Sequence, residues 1–292
     1  MRTDISCALN GIGLADLDSR IYVEDVKEKV NISADTTKRS GYGLFPMNNP
    51  GRDSMTITVT FMLKERTRTS RAVLLQTVRG WCGDGWFTKN TRPTQRIYVF
   101  CTKEPEIDTF DVKTRYQIEF TAYGEAFWQD ITPVTVKKTS AVSSATESIT
   151  PTGTQKAFLE AEIAPSSGTL TSVTITVGTQ VLALSGLSVT KTAPLKIFYD
   201  ELHILHIESG GGSSLMSCRS AASVDDIVLV PGQANSISLA FSRACTYTLT
   251  ARGLWKWMIS EYGSRACWPK VRAAACWLRS AGCILSELSA LR

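Results

Sequence analysis

The chain has 292 residues, of which 43% are hydrophobic and 20% charged, and its formal net charge is +5. This composition is that of a globular protein rather than a disordered or membrane-embedded one, and the length suffices for two domains with separate cores. No apolar run is long enough to cross a bilayer, and residues 1–14 lack the apolar core of a signal peptide. We therefore expect neither membrane insertion nor export by the general secretory route.

Strands are predicted on both sides of a single helix. Apolar residues alternate with other, mostly polar residues from Met55 to Leu63 and again from Tyr116 to Tyr123, which is the period of a strand with one buried face. A further strand is expected at Arg96–Cys101, and Arg92 and Pro93 precede it. The aromatic pair Phe127 and Trp128 ends this part of the chain.

The helix lies between the first two of these strands. Thr69 or Ser70 suits its N-cap, and Gly83 and Gly85 suit a chain reversal after a last turn near Cys82. We predict one amphipathic helix packed on a core, because five apolar residues have helical spacing. These residues are Leu74, Leu75, Val78, Trp81 and Cys82.

A change in composition marks the next segment. Residues 135–153 are rich in serine and threonine and end in Pro151, Thr152 and Gly153, which predicts a linker. We therefore place an N-terminal domain at 1–134, a second domain at 154–258 and a C-terminal extension at 259–292.

The second domain consists of short predicted strands separated by turn residues such as Pro231 and Gly232. This spacing favours an antiparallel β-sandwich. The predicted strands are Ala157–Ala164, Val173–Val177, Val181–Leu184, Leu195–Tyr199, Ile204–Ile207, Ile227–Val230, Ser236–Phe241 and Tyr247–Ala251. The predicted fold class is thus mainly β, with an N-terminal sandwich-like or barrel-like domain that carries one packed helix.

Several features, taken in order, resemble the distal tail protein family of long-tailed phages. In the first domain they are Arg79 and Trp81 at the helix end, Arg92, Pro93, Phe127 and Trp128. In the second they are Asp200, Asp225, Pro231, Gly232, Asn235 and Trp255, which are similar to the galectin-like or carbohydrate-module-like domain of that family.

The resemblance implies a structural protein of the virion tail, assembled in the bacterial cytoplasm. It also implies a homo-oligomeric ring, of six subunits by family precedent, that contacts the tail tube protein, a tail-tip hub protein and a receptor-binding protein.

Two segments are suited to ring contacts, because extended strand edges can join neighbouring subunits. The first is Ile21–Ile32. The second is the segment Thr37–Asp53, predicted to be an irregular loop because it contains Gly41, Gly43, Pro46 and Pro50.

The sequence of the C-terminal extension predicts an amphipathic helix that starts near Pro269. Its apolar seam advances by alternating steps of three and four and includes Val271, Leu278 and Leu285. Three interpretations are open: docking onto a neighbouring subunit, an adaptor for another tail protein, or an extension without function.

No catalytic motif, cofactor site or metal site is predicted. The two histidines, His203 and His206, would lie on opposite faces of a strand, and the scattered cysteines are expected to be buried free thiols. The extension has five basic and two acidic residues, so the preceding body carries only about +2, too little for a nucleic-acid interface. We expect a protein that is not an enzyme.

The alternative function is a carbohydrate-binding adhesin that acts through the second domain. Sugar binding in such a fold requires an exposed aromatic ring, and the rings of this domain are expected to be mostly core. They are Phe158, Phe198, Tyr199, Phe241 and Tyr247, the last on the same side of its strand as Leu249.

Overall fold

The computed structural model describes residues 5–33, 36–39, 43–46, 51–106, 115–123 and 127–256. These residues belong to one unit, Met1–Trp257. The first half contains β1 (Cys7–Leu9), β2 (Ile12–Gly13), β3 (Ile21–Ser33), β4 (Thr36–Arg39), β5 (Gly43–Pro46), β6 (Gly51–Leu63), α1 (Arg68–Trp81), β7 (Gly85–Lys89), β8 (Arg92–Lys103), β9 (Arg115–Tyr123) and β10 (Trp128–Asp130).

The second half is formed by strands apart from one short 3-10 turn, Met216–Cys218. It contains β11 (Val134–Ser140), β12 (Ser144–Ile149), β13 (Ala157–Pro165), β14 (Leu170–Val177), β15 (Gln180–Val189), β16 (Leu195–Tyr199), β17 (Leu205–Ser209), β18 (Val228–Leu229), β19 (Asn235–Phe241), β20 (Cys245–Ala251) and β21 (Leu254–Trp255). A chain that is mainly β, with one helix among its described residues, confirms the predicted fold class.

The N-terminal sheet has the strand order β2-β1-β7-β8-β9-β6-β3, with antiparallel pairing throughout. The alternation predicted in β6 is confirmed, because Met55, Ile57, Val59, Phe61 and Leu63 are all at most 2% exposed. Strand β8 begins at Arg92, so the expectation that Arg92 and Pro93 precede the strand is wrong. The physical reason is that backbone pairing extends the strand toward its start: Arg92 pairs with Lys89 of β7, and Gln95 and Arg96 pair with β10.

Helix α1 packs one face on this sheet. Leu74, Leu75, Val78 and Trp81 are buried as predicted. The N-cap is Thr67, whose hydroxyl accepts a hydrogen bond from the backbone N–H of Ser70 at 3.4 Å. The predicted N-cap, Thr69 or Ser70, is therefore wrong, because the helix begins earlier in the chain. The chain leaves the helix through an extended Cys82, so no left-handed glycine is needed at this helix end.

The segment Thr37–Asp53 is not the irregular loop that its glycines and prolines predict. Strands β4 and β5 pair with each other, and β6 already begins at Gly51. Gly43 and Pro46 are the first and last residues of β5, while Gly41 and Pro50 lie outside the described residues. Proline is compatible with the end of a short two-stranded ribbon, where ladder hydrogen bonds stop.

The second half is a β-sandwich with its own core. One sheet has the order β11-β20-β13-β16-β17, with β18 paired to β13, and the other has the order β12-β19-β14-β15. Each of the eight predicted strands overlaps an observed strand. The core lies between the sheets and includes Leu159, Ile175, Ile197, Leu239 and Leu249.

The predicted linker 135–153 is wrong, since this segment supplies strands β11 and β12. Strand β11 pairs with β20, and β12 pairs with β19, so the segment contributes one strand to each sheet. Threonine has a high strand propensity, and here it occupies outward-facing positions while Ile149 enters the core. Gly153 is required where the chain then passes β21, because a Cβ there would lie 2.5 Å from the Leu254 carbonyl oxygen.

A buried carboxylate connects strands of the two sheets. Tyr247 donates a hydrogen bond to Glu147 at 2.6 Å, and Lys138 does so at 2.7 Å. Burial opposes ionisation of Glu147, but the hydrogen bonds from Lys138 and Tyr247 outweigh it and lower the pKa of this carboxyl. The ionised form is therefore the one that the fold stabilises.

Glu147 is expected to make the free energy of unfolding depend on pH in the acidic range. A carboxyl whose pKa is lowered in the folded state stabilises the fold fully above its unfolded pKa, about 4.3, and loses this contribution as the pH falls through the folded value. Glu147→Gln should cost about 1 to 2 kcal/mol at pH 7, and urea unfolding should show that cost shrink below about pH 4. A cost that is independent of pH would contradict the assignment.

The three interface candidates of the C-terminal extension, Val271, Leu278 and Leu285, lie outside the described residues. Within those residues, no helix is long and apolar enough to span a membrane.

Candidate functional site

Two short strands join the two cores. Strand β10 pairs with β21 in the register Trp128 to Trp255 and Gln129 to Leu254, and it also pairs with the first part of β8. Trp128 and Trp255, signature residues predicted for different domains, are thereby brought opposite each other. We call the region around β10 and β21 the junction.

Polar contacts reinforce the junction. Asp130 accepts hydrogen bonds from the Trp255 indole N–H at 2.7 Å and from the Thr152 hydroxyl. The Arg252 guanidinium donates to the carbonyl oxygen of Ile131 at 2.8 Å. Side chains of the second half thus bind the chain segment at which the first half ends.

Trp128 also belongs to a buried charged cluster, which consists of Glu28, Lys89, Arg92 and Trp128. The Trp128 indole N–H donates to Glu28 at 3.2 Å, Lys89 donates to the same carboxylate, and Arg92 lies 3.7 Å from it. Lys89 and Arg92 also lie over the Trp128 ring, at 5.5 and 5.1 Å from its centroid. The Glu28 side chain is only 5% exposed, so this cluster supports the fold rather than a reaction.

The other predicted residues of the first half have separate contacts. Trp81 is buried against Phe120 and donates its indole N–H to the Ile12 carbonyl oxygen at 2.9 Å. Arg79 donates to the Pro105 carbonyl oxygen at 3.1 Å. Pro93 is exposed and Phe127 is half-exposed. These positions do not converge on one site.

Asn235 organises a turn in the second half. Its amide accepts from the Val230 N–H at 2.9 Å and donates to the carbonyl oxygens of Ile149, Val230 and Gln233. Pro231 and Gly232 form this turn, in which Gly232 has φ +72°. Asp225 lies apart, on the surface, in an ion pair with Arg219 at 2.5 Å.

Asp200 organises a second turn, and this turn borders a cavity. Its carboxylate accepts from the backbone N–H groups of Leu202 and Ile204 and lies 3.3 Å from His206. His203 has φ 63° and belongs to the turn, so the prediction that both histidines alternate along one strand is wrong. The turn that the Asp200 carboxylate stabilises separates β16 from β17, so no continuous strand contains both histidines.

The cavity lies at the junction and has a volume of about 190 Å³. Both halves of the chain line it. The first half contributes Trp86, Arg96 and Gln129, and the second contributes Phe158, Glu160, Tyr199, Asp200, Glu201, His203, Arg252 and Leu254. Of the five aromatic residues expected to be mostly core, Phe158, Phe198 and Tyr199 are in fact half-exposed, and two of these line the cavity.

Charged groups of both signs influence one another in this cavity. Burial, followed by the Arg252 charge, lowers the pKa of Arg96. Burial raises the pKa of Glu160 against the opposing effects of Arg252 and Arg96. The Arg96 guanidinium stacks on Trp86 at 3.9 Å, and its buried Nε has no hydrogen-bond partner.

Four aromatic rings form a continuous row on the outer face of the N-terminal sheet. Trp86 contacts Tyr98 at 5.3 Å, Tyr98 contacts Phe100 at 5.5 Å, and Phe100 contacts Tyr123 at 5.6 Å between ring centroids. We call this row the aromatic ladder. It opposes the face that packs on α1, and Tyr123 is 55% exposed, so the ladder offers a partly apolar contact surface.

The long strand β3 lies at one edge of the N-terminal sheet. It spans 13 residues and contains the segment Ile21–Ile32 that was predicted to make ring contacts. Among the described strands it pairs with β6 alone. No described strand pairs with its other edge, and the exposed Lys27 and Lys29 of β3 discourage unspecific pairing.

Comparison with solved structures identifies this architecture. The crystal structure of the SPP1 Dit protein (gp 19.1), described as a paradigm of the hub adsorption apparatus in phages that infect Gram-positive bacteria, aligns with a TM-score of 0.60 and 14% identity. The alignment covers 86% of this chain and 99% of that protein. The chain has the Dit fold.

Two further solved structures align more weakly with this chain. The baseplate of phage P2 in its activated conformation with calcium aligns with a TM-score of 0.47 and 6% identity over 80% of this chain and 90% of that chain. The strontium form aligns with a TM-score of 0.42 and 6% identity over 85% and 97%. No family model and no curated protein sequence matches this chain.

Sequence reasoning missed the parts of the Dit fold that carry the contacts across the junction. No sequence motif includes Glu28, Arg96, Glu160 or Arg252. Their roles are evident only from the residues that surround them in the folded chain. The aromatic ladder could have been predicted from the sequence. Its rings on β7 and β8 alternate along each strand with the buried Phe87, Ile97 and Val99, so they must lie on the other face of the sheet.

The five cysteines of the described region are free. Cys7 and Cys245 are buried, and burial raises the pKa of their thiols to about 12 and about 11. Cys82, Cys101 and Cys218 are partly buried and pack against the cores, so the expectation of buried thiols holds only in part for these three. The described residues contain no group of three His, Cys, Asp or Glu side chains that could hold a metal ion.

Proposed function

We propose that this chain is a structural, non-enzymatic component of a phage tail, the distal tail hub that joins the tail tube to the tail tip or baseplate. The likeness to the SPP1 Dit protein over 86% of this chain and 99% of that protein carries this proposal. A role in the virion tail, after assembly in the bacterial cytoplasm, follows from it.

The proposed assembly is a closed homo-oligomeric ring, with six subunits as its expected number. A ring requires two different surfaces on each subunit, because a head-to-tail contact closes by rotation. The edge of β3 that pairs with no described strand and the aromatic ladder are suitable surfaces, since one can add a strand of a neighbouring subunit and the other offers partly exposed rings.

The partners proposed for the ring are the tail tube protein, a tail-tip hub protein and a receptor-binding protein. The second half would project as a galectin-like domain. Its two sheets, packed over a common core, support this part of the proposal. The predicted signature residues Arg79, Trp128, Asn235 and Trp255 would then maintain the subunit, because their contacts are internal.

Ring formation is tested by light scattering and negative-stain imaging of the purified chain. We expect ring-shaped oligomers. Tyr123→Lys should shift them toward monomers, because it places a charge at the exposed end of the aromatic ladder. Val73→Lys is the matched control, since Val73 is 61% exposed on the outer face of α1.

Two results would contradict this proposal. A strict monomer at high protein concentration would refute the ring, and the glycan experiments described below would then become the primary test of function. Rings that persist unchanged in Tyr123→Lys would instead remove the aromatic ladder from the subunit contact and leave the edge of β3 as the candidate.

A further inference from the structure

We propose that the cavity at the junction binds one neutral sugar residue of a glycan. The proposal goes beyond the tail-hub function and does not depend on it. It also places the sugar where both halves of the chain meet rather than on the second half alone.

The size of the cavity suits a single sugar ring. Its volume of about 190 Å³ lies below the few hundred Å³ that enclose a drug-sized ligand. Glu201, on the rim, is exposed, so a glycan could extend from the bound ring into solvent. The site would therefore recognise one residue of a longer chain.

The polar groups are placed for a neutral polyol. Arg96, Glu160 and Arg252 all line the cavity, and no ion pair within 4.0 Å joins any two of these described residues. The buried Arg96 Nε–H lacks an acceptor. Hydroxyl groups can both donate to Glu160 and accept from the two guanidinium groups, so one sugar can satisfy all three.

The balance of charge disfavours an anionic ligand. Two arginines are offset by Glu160, Asp200 and Glu201 around the same cavity. An anion attracted by the guanidinium groups would also meet three carboxylates, whereas a neutral sugar meets donors and acceptors in similar number.

Aromatic rings supply the apolar part of the site. Phe158 and Tyr199 stack with their centroids 4.4 Å apart, and Trp86 from the first half also lines the cavity. A sugar ring presents C–H groups on one face, which pack favourably against aromatic rings. Aromatic packing together with charge-assisted hydrogen bonds would orient the ligand.

Saturation-transfer NMR with the full chain tests the proposal. The probes are methyl glycosides of glucose, galactose, N-acetylglucosamine and rhamnose, with acetate and inorganic phosphate as anionic probes. We expect at least one glycoside to bind with a dissociation constant on the order of 1 mM, as suits so small a ligand.

Two pairs of variants locate the binding. Glu160→Gln should weaken binding about tenfold, while Glu162→Gln, the same change at an exposed position of β13, should not. Phe158→Leu should weaken binding, while Phe198→Leu, a half-exposed ring that stacks on His206 outside the cavity, should not. Thermal melting of each variant separates loss of binding from loss of folding.

Three results would overturn the proposal. They are binding of none of the glycosides, binding of the anions alone, and glycoside binding that is equal in all four variants. In the last case the sugar lies elsewhere. Ring formation is measured separately by light scattering, so failure here and failure of the tail-hub proposal can be told apart.

Discussion

Glu28→Ala is expected to lower the free energy of unfolding by about 3 to 5 kcal/mol, because it leaves two cationic side chains without their buried carboxylate. Lys89 and Arg92 are only 12% and 20% exposed and share Glu28. The Trp128 indole N–H would also lose its acceptor. Urea unfolding followed by tryptophan fluorescence measures the change.

Glu24→Ala is the matched control on the same strand. Glu24 pairs with Arg115, which is 66% exposed, and such surface pairs contribute less than about 1 kcal/mol. Equal losses in the two variants would show that the Glu28 cluster is solvated and contributes no more than a surface pair.

A double variant distinguishes the cost of an unpaired charge from the value of the ion pair itself. Glu28→Met combined with Lys89→Met removes both charges of this pair and keeps apolar volume, and it leaves only Arg92 without the carboxylate, so it should be less destabilised than Glu28→Ala. A larger loss in the double variant would mean that the pair is strongly stabilising in itself.

Asn235→Ala is expected to cost about 3 kcal/mol. The Asn235 amide makes four hydrogen bonds to backbone groups and is 8% exposed. Its loss leaves the Val230 N–H and several carbonyl oxygens with fewer partners in a buried turn, and each such group costs about 1 to 3 kcal/mol. Denaturant unfolding of the variant measures this loss.

Gln233→Ala provides the control, because the Gln233 side chain is exposed in the same turn and its carbonyl group is unchanged. It should change stability by less than about 0.5 kcal/mol. Asn235→Asp should be intermediate, since it keeps the acceptor for Val230 but loses the donors. An Asn235→Ala variant as stable as Gln233→Ala would show that water replaces the amide in this turn.

Local patterns determined the elements with strong periodicity. Alternation at Met55–Leu63 and Tyr116–Tyr123 and helical spacing at Leu74–Trp81 were sufficient, because burial of one face imposes a period on the sequence. The strands of the second half follow the same rule. Fold class could therefore be predicted without knowledge of any tertiary contact.

Weakly apolar strands escaped the same reasoning. Strands β11 and β12 are dominated by serine, threonine and charged residues, so their composition resembled a linker. Their partners β20 and β19 lie about a hundred residues later in the chain. Backbone hydrogen bonds to those strands carry no signature in the side chains, and only the assembled sheets show them.

The junction was decided by tertiary structure alone. Arg96 and Glu160 meet in one cavity, and Trp128 pairs with Trp255, although each pair is far apart in the sequence. By itself, the sequence determined which residues needed burial and which elements they would form. The positions at which charged and aromatic groups converge depended on strand order and register, which bring together residues that no local period relates.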